Sequence, residues 1–157
     1  MRYLVCLLAC FIVSTAAGEA ATRTVCASGC QYTNLQTAIN EAVPGDTILL
    51  RAGQTYVGNY ILRMKSASST AFITIKSDAP ASSLPPAGVR LVPQGKPGAN
   101  TNRSALARLV GQGRSYRSTA VVRTEPGAHH YRLQFLEIDG TENVGYGPLV
   151  ALGDNDS

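Results

Sequence analysis

The first recurring pattern in the chain is the spacing of apolar residues between positions 34 and 42. The residues that recur every three or four positions are Leu35, Ala38, Ile39 and Ala42. Such spacing places them on one face of a helix. Asn34 is a suitable amino-terminal cap, and Pro44-Gly45 ends the segment. The pattern predicts one short amphipathic α-helix over about residues 34–42.

After this helix the period of the apolar positions falls from near four to near two. Ile73 and Ile75 flank Thr74, and the same alternation runs over residues 48–51. Further short apolar runs occupy residues 60–62, 89–92, 120–123, 133–138 and 149–152. Alternation of this kind is typical of half-buried strands.

The run at 133–138 contains an irregularity, because its alternation slips by one residue at Phe135-Leu136. A β-bulge would explain the slip. No second helical period follows, so a doubly wound α/β fold is not expected. The sequence therefore predicts an all-β domain, either an antiparallel sandwich or a solenoid of parallel strands.

The turn signals favour the solenoid. A sandwich typically uses tight two-residue hairpins, yet Asp139-Gly140 is the only Asp-Gly or Asn-Gly pair in the chain. The Pro- and Ser-rich tract at 79–86 is a long insertion, which a solenoid tolerates because each turn contacts only its neighbours. We expect the helix to cover the first turn, with Leu35, Ile39 and Ala42 facing inward.

Residues 1–20 have the features of an export signal. A basic start precedes an apolar run of eleven residues, too short to span a bilayer, and small residues follow it. We expect cleavage after Ala20, and a cut after Gly18 fits the same pattern. Residues 7–10 (LLAC) resemble a lipoprotein box, but the apolar run continues beyond Cys10. The sequence predicts a secreted or periplasmic chain of residues 21–157, without membrane association after cleavage.

The exported chain keeps two cysteines, Cys26 and Cys30. In an oxidising compartment a pair this close favours a local disulfide, with free thiols as the alternative. Zinc would need two further ligands, and the only histidines, His129-His130, are about a hundred residues away.

Charge is scattered along the chain. The formal net charge is +4, but no run of five or six like charges occurs, so a nucleic-acid partner is not expected. Arg51, Lys76 and Arg123 follow inward-facing strand positions, and stacked turns could align some of them into a basic stripe that attracts an anionic polysaccharide. Ordinary solubilising charge is the favoured interpretation.

Residues 34–50 (NLQTAINEAVPGDTILL) and 53–60 (GQTYVGNY) resemble the amino-terminal cap and first coil of right-handed parallel β-helix proteins of the pectate-lyase-like superfamily. Residues 72–77 and 133–140 are similar to later coils. The start resembles that of polysaccharide lyases of the chondroitinase B and alginate lyase kind. The resemblance implies a right-handed parallel β-helix, a solenoid with a short amino-terminal capping α-helix, over residues 21–157.

The resemblance also implies action on polysaccharides. Such lyases remove the proton alpha to a uronate carboxylate with a Lys or Arg base, while a cation neutralises the carboxylate. No residue here matches those groups position by position. Residues 21–157 provide only about five turns, and the apolar run at 149–152 has no polar cap after it. We expect a truncated β-helix, inactive and without cofactor by itself, with calcium a candidate in the full-length protein.

Four acidic residues are weak candidates for a site. Glu137 and Asp139 are two positions apart on a strand, so they project from one face about 7 Å apart, as paired catalytic carboxylates do. A solvated outer face is the competing interpretation. Asp154 and Asp156 supply the oxygen atoms that calcium prefers but lack the remaining loop ligands, so a frayed polar end is the alternative.

The histidine pair is a further candidate. In an extended segment, His129 and His130 would point to opposite sides, so at most one could face a given site.

Two functions are compatible with these patterns. The first is an exported β-helix related to polysaccharide-active enzymes, with β-elimination of a uronate-containing polysaccharide as the reaction of the full-length form. The second is a non-catalytic module that binds glycans or a cell surface. A Lys or Arg beside an acidic cation site would favour the enzyme, and exposed tyrosine rows would favour binding. The tyrosines considered for such rows are Tyr56, Tyr60, Tyr116, Tyr131 and Tyr146.

Overall fold

The described chain consists of short strands in parallel sheets and one α-helix. The computed structural model describes residues 19–66, 68–92, 95–100, 102–112, 120–140 and 148–153. The elements are the helix α1 (Leu35–Glu41) and the strands β1 (Thr22–Val25), β2 (Thr47–Leu50), β3 (Thr55–Val57), β4 (Tyr60–Leu62), β5 (Ile73–Ser77), β6 (Ala107–Val110), β7 (Val122–Thr124), β8 (Tyr131–Gln134), β9 (Leu136–Asp139) and β10 (Val150–Ala151). Single 3-10 turns at Ala81–Ser83 and Arg103–Ala105 lie between β5 and β6. These elements place the protein in the all-β class, as predicted.

The strands form three sheets. Sheet A has the order β1-β2-β5-β8, sheet B has β3-β6-β9, and sheet C has β4-β7-β10. From β2 onwards the chain visits sheets A, B and C in that order three times. All pairings among the described strands are parallel, which excludes the antiparallel sandwich for this part of the chain.

The register of the strands stacks apolar side chains in three inner columns. The columns are Ile48, Ile75 and Leu133 in sheet A, Tyr56, Leu109 and Ile138 in sheet B, and Tyr60, Val122 and Val150 in sheet C. Buried members of all three sheets belong to one hydrophobic cluster. Each new strand therefore buries its inner side chains on those of the strand before it.

Helix α1 covers the amino-terminal end of this cluster, where it packs against β1 and β4. The Asn34 side chain accepts a hydrogen bond from the N–H of Thr37 at 3.1 Å, which confirms Asn34 as the cap. Leu35, Ala38 and Ile39 are buried. The predicted helix and its inward face are thus confirmed.

The helix also closes the free edge of sheet C. The side-chain amide of Gln36 donates to the carbonyl of Ile61 in β4 at 3.0 Å and accepts from the N–H of Ile61 at 2.8 Å. On sheet A, Tyr32 covers part of β1, because its N–H donates to Thr24 and its carbonyl accepts from Cys26. Exposed strand edges readily pair with other chains, so both contacts protect the first strands.

A buried carboxylate joins β1, the end of α1 and the start of β2. Asp46 has 0% exposure, and its Oδ1 accepts from the N–H of Ala21 at 2.8 Å. Its Oδ2 accepts from Arg23 Nε at 2.7 Å and from the N–H of Val43 at 3.0 Å. Burial alone would raise the pKa of Asp46, but the hydrogen bonds from Val43, Arg23 and Ala21 outweigh it, so the pKa is lowered.

Arg23 extends the hydrogen-bond network of Asp46 to Tyr32 and Glu41. It aligns with Ile48 in the inner column of sheet A, and its guanidinium donates to the Tyr32 hydroxyl at 2.7 Å. That hydroxyl donates in turn to Glu41 at 2.7 Å. A cation therefore occupies an inner position only because three oxygen-bearing side chains surround it.

Two strand predictions differ from the structure. Residues 89–92 were predicted as a strand, but they form none, and Val89 is 51% exposed.

The run at 133–138 is not one bulged strand but two strands in different sheets. Phe135, with a φ of 54°, turns the chain from β8 in sheet A to β9 in sheet B. The slip in alternation marks this corner.

Replacing Gln36 with Met tests the closure of the edge of sheet C. Gln36→Met keeps the side-chain length but removes both polar groups, so the N–H and carbonyl of Ile61 lose their partners. We expect the free energy of unfolding in urea to fall by about 1–3 kcal/mol. Gln36→Glu, which keeps the acceptor, should lose less. Wild-type stability of the Met variant would contradict this role.

Replacing Asp46 with Asn tests the buried carboxylate. At pH 7 we expect Asp46→Asn to lose about 3–5 kcal/mol of unfolding free energy, because Arg23 keeps a poorly compensated charge. The lowered pKa makes the carboxylate stabilising above about pH 4, and this contribution is lost as the pH falls through the folded-state value. Urea unfolding at decreasing pH should therefore show a shallower acid loss in Asp46→Asn than in the wild type or in the control Asp78→Asn. Parallel profiles would contradict the assignment.

Candidate functional site

The outer face of sheet A presents two rows of side chains that cross its four strands. The first row consists of Thr22, Thr47, Thr74 and Arg132, and the second consists of Thr24, Leu49, Lys76 and Gln134. These positions alternate with the inner column, and neighbours along a row are about 4.8 Å apart. The face is therefore a regular array of hydroxyl, amide and cationic groups with one apolar side chain, Leu49.

Neither row of this face contains a carboxylate. Lys76 and Arg132 lie on neighbouring strands, and within the described part of the chain neither takes part in a salt bridge. The guanidinium carbon of Arg132 is 4.5 Å from the ring centroid of Phe72. This stacking is a cation–π contact that holds the guanidinium at the surface. The two cations give the face a local positive charge.

The outer face of sheet B is different, because its charges are paired. Glu137 forms a salt bridge with Arg103, with Arg103 Nε 3.0 Å from Oε2, and Asp139 forms one with Arg108. Glu137 and Asp139 do project from one face, as their spacing predicts. Each carboxylate has a guanidinium partner, and the contact with Glu137 raises the pKa of Arg103. Their catalytic role stays a prediction.

The predicted basic residues do not form one stripe. Lys76 is on sheet A, whereas Arg123 is on sheet C beside Ile61. Arg51 follows β2, and its guanidinium is 3.7 Å from the Sγ of Cys30. The cation that neighbours Lys76 across sheet A is Arg132, which the sequence analysis did not single out. The sequence did contain a signal for the outward position of Arg132, because Arg132 and Gln134 alternate with Tyr131 and Leu133.

The cysteines form the predicted local disulfide. Cys26 and Cys30 are bonded, with their Cα atoms 5.5 Å apart. The metal candidates Asp154 and Asp156 lie outside the described residues. Across the described ranges, no three His, Cys, Asp or Glu side chains are grouped so that they could hold a metal ion.

The two histidines do not point apart. His130 has a φ of 56°, and the Nδ1 atoms of His129 and His130 are 2.6 Å apart. The opposite orientation was expected of an extended segment, and the backbone at His130 is not extended. Both rings line a cavity of about 350 Å³ at the carboxyl-terminal end of the sheets, together with Leu62, Leu133 and Val150.

The tyrosines that the structure describes do not form an exposed row. Tyr56 and Tyr60 are each 6% exposed and belong to the inner columns, and Tyr131 is half-buried. Burial raises the pKa of Tyr60 to about 12 and that of Tyr131 to about 12. Tyr116 and Tyr146 lie outside the described residues. The described tyrosines therefore serve the core rather than a stacking surface.

A second cavity, of about 420 Å³, borders the free edge of β3. Its lining includes Asn34, Gln54, Asn59 and Tyr60 and carries no charged side chain. The Asn59 amide donates to the carbonyl of Gln112 and accepts from its N–H, which ties the segment between β3 and β4 to the segment after β6. The side-chain amide of Asn59 is therefore already hydrogen-bonded to backbone groups.

Comparisons with protein-family models, with curated proteins and with solved structures found no match. None of the helices in the described ranges has the length and apolar character needed to cross a membrane.

Proposed function

We propose that this chain is an exported right-handed parallel β-helix that binds an anionic polysaccharide along the outer face of sheet A. The observation that carries the proposal is the pair of rows on that face, which contain Lys76, Arg132, hydroxyls and an amide but no carboxylate. A polyanion lying across the strands would meet these groups at regular intervals.

The strand order supports the β-helix. A chain that passes through three parallel sheets in the same order on each turn winds around a common core. Connections between parallel strands of one sheet are right-handed in about 98% of cases, which gives the expected hand. The resemblance of residues 34–60 to the cap and first coil of pectate-lyase-like proteins points the same way.

Export is supported by two independent features. Residues 1–20 have the charge, apolar run and small residues of a secretory signal. The Cys26–Cys30 disulfide belongs to an oxidising compartment, such as the periplasm or the exterior of the cell. A polysaccharide of the cell envelope or surroundings is the class of partner available there.

Elimination at a uronate is a second candidate function. It requires one group that neutralises the uronate carboxylate and another that removes the neighbouring proton. Lys76 and Arg132 are two cations on adjacent strands of one face, and this arrangement favours the reaction. Calcium is the cofactor to examine, because it can take over the neutralising role.

Removing the charge of Lys76 or Arg132 tests the binding surface. We expect Lys76→Ala and Arg132→Ala each to weaken binding to alginate or pectate about two- to fivefold, the effect of one exposed charge. The double variant should also show a weaker dependence on salt. Arg123→Ala, on sheet C, is the matched control and should bind as the wild type does. Calorimetric titration provides the affinities, and an equal loss in Arg123→Ala would contradict the location.

Incubation with uronate polymers tests the elimination. On this candidate function, the protein should raise the ultraviolet absorbance of alginate, pectate or chondroitin solutions, because each cleavage creates an unsaturated uronate end. Lys76→Ala should abolish the rise while the Arg123→Ala control retains it. No rise on any of the three polymers, with or without calcium, would contradict the enzymatic candidate and leave the binding function.

A further inference from the structure

The backbone nitrogen of Ala21 lies against a buried negative charge. Its N–H donates to Asp46 Oδ1 at 2.8 Å, and the Ala21 carbonyl accepts from the N–H of Thr47 at 2.9 Å. These two contacts fix Ala21 beside the start of β2. Asp46 has 0% exposure, whereas Ala20 and Ala21 are exposed. The backbone nitrogen of an exposed residue, Ala21, therefore contacts a carboxylate that is itself buried.

The cations near Asp46 are shared with other groups. Arg23 is its salt-bridge partner, but the same guanidinium also lies 4.0 Å from Glu41 and donates to Tyr32. Lys65 is the other nearby cation, and its Nζ donates instead to the carbonyls of Ile39 and Asn40 at the end of α1, at 3.0 and 2.8 Å. A further positive group at Oδ1 would complete the set.

We propose that cleavage between Ala20 and Ala21 places the new α-ammonium of Ala21 in an ion pair with Asp46, so that removal of the signal strengthens the amino-terminal closure of the fold. The inference rests on the proposed export. Water supplies the hydroxyl that Ala20 takes as a carboxylate, and the nitrogen of Ala21 leaves as an amine that is protonated at neutral pH. The class of catalyst required is a signal peptidase.

The bond itself has the features that such cleavage needs. Gly18 and Ala20 are the small residues at the minus-three and minus-one positions. Cleavage after Gly18 fits the same sequence rule, but it would leave Ala21 as an uncharged amide. The contact with Asp46 therefore distinguishes two cuts that the sequence pattern does not separate.

The first experiment identifies the amino terminus. The chain is expressed with its own signal in an exporting host, and the intact mass of the exported protein is measured. We expect a chain that begins at Ala21. A chain that begins at Glu19 would overturn the cleavage site, and retention of the protein in the cytoplasm would instead overturn the proposed export.

The second experiment measures the ion pair. Chains 21–157 and 19–157, each made with a defined terminus, are compared by urea unfolding from about pH 6 to about pH 10, because an α-amino group titrates near pH 8. We expect the ratio of folded to unfolded protein at pH 6 to be roughly tenfold higher for 21–157, the effect of a hydrogen bond gaining full charge. The advantage should be complete below about pH 8, the value for an unpaired α-amino group, and should be lost over roughly the next pH unit, because the ion pair raises the pKa of the ammonium in the folded chain.

The comparison remains decisive if one variant does not fold. Asp46→Asn in both chains should remove the difference between them, because the partner charge is gone. Where Asp46→Asn does not fold, the pH dependence of the difference between the two unsubstituted chains decides the question. Equal stability of 21–157 and 19–157 at every pH would overturn the ion pair while leaving the polysaccharide proposal untouched.

Discussion

The structure depends on closing the amino-terminal end of a stack of parallel strands. A parallel strand adds to the stack by hydrogen bonding to the strand before it, so the first strand of each sheet has one unsatisfied edge and an uncovered inner face. Here α1 covers the inner face, the amide of Gln36 pairs with Ile61, and Tyr32 pairs with β1. All of these hydrogen bonds lie within residues 24–61, so one continuous part of the chain supplies both the first strands and their cover.

Asp46 fixes where that segment sits. Its carboxylate holds β1, the end of α1 and the first residue of β2 at one point, and burial in the cap strengthens each of its hydrogen bonds. An apolar residue at this position would leave the N–H groups of Ala21 and Val43 without acceptors. The turn at Pro44-Gly45 brings Asp46 back to Val43, because the N–H of Asp46 also donates to the Val43 carbonyl at 3.0 Å, and glycine suits position 45, where φ is 101°.

The elements predicted correctly from the sequence are those whose periodicity is local and strong. The helix has a repeat of three to four residues with Asn34 before it, and β5 has strict alternation in Ile73 and Ile75. Strand β6 was not predicted, since Ala107–Val110 follows a long polar insertion and its apolar residues do not alternate cleanly. The valines and leucine of residues 89–92 predicted a strand, but among the described residues this segment pairs with no strand and instead hydrogen-bonds to Asn100. The contacts of Asp46 with Ala21 and Arg23 were also missed, because these two partners are distant from it in sequence.

The same register that builds the core also sets the charge of each outer face. A shift of β8 by one residue would turn Arg132 inward and Leu133 outward, so burial of Leu133 on Ile75 determines that Arg132 lies at the surface beside Lys76. On sheet B, the register instead brings Arg108 next to β9, where Asp139 forms a salt bridge with it. Glu137 of the same strand forms a salt bridge with Arg103. The outward position of Arg132 on sheet A is therefore a consequence of core packing.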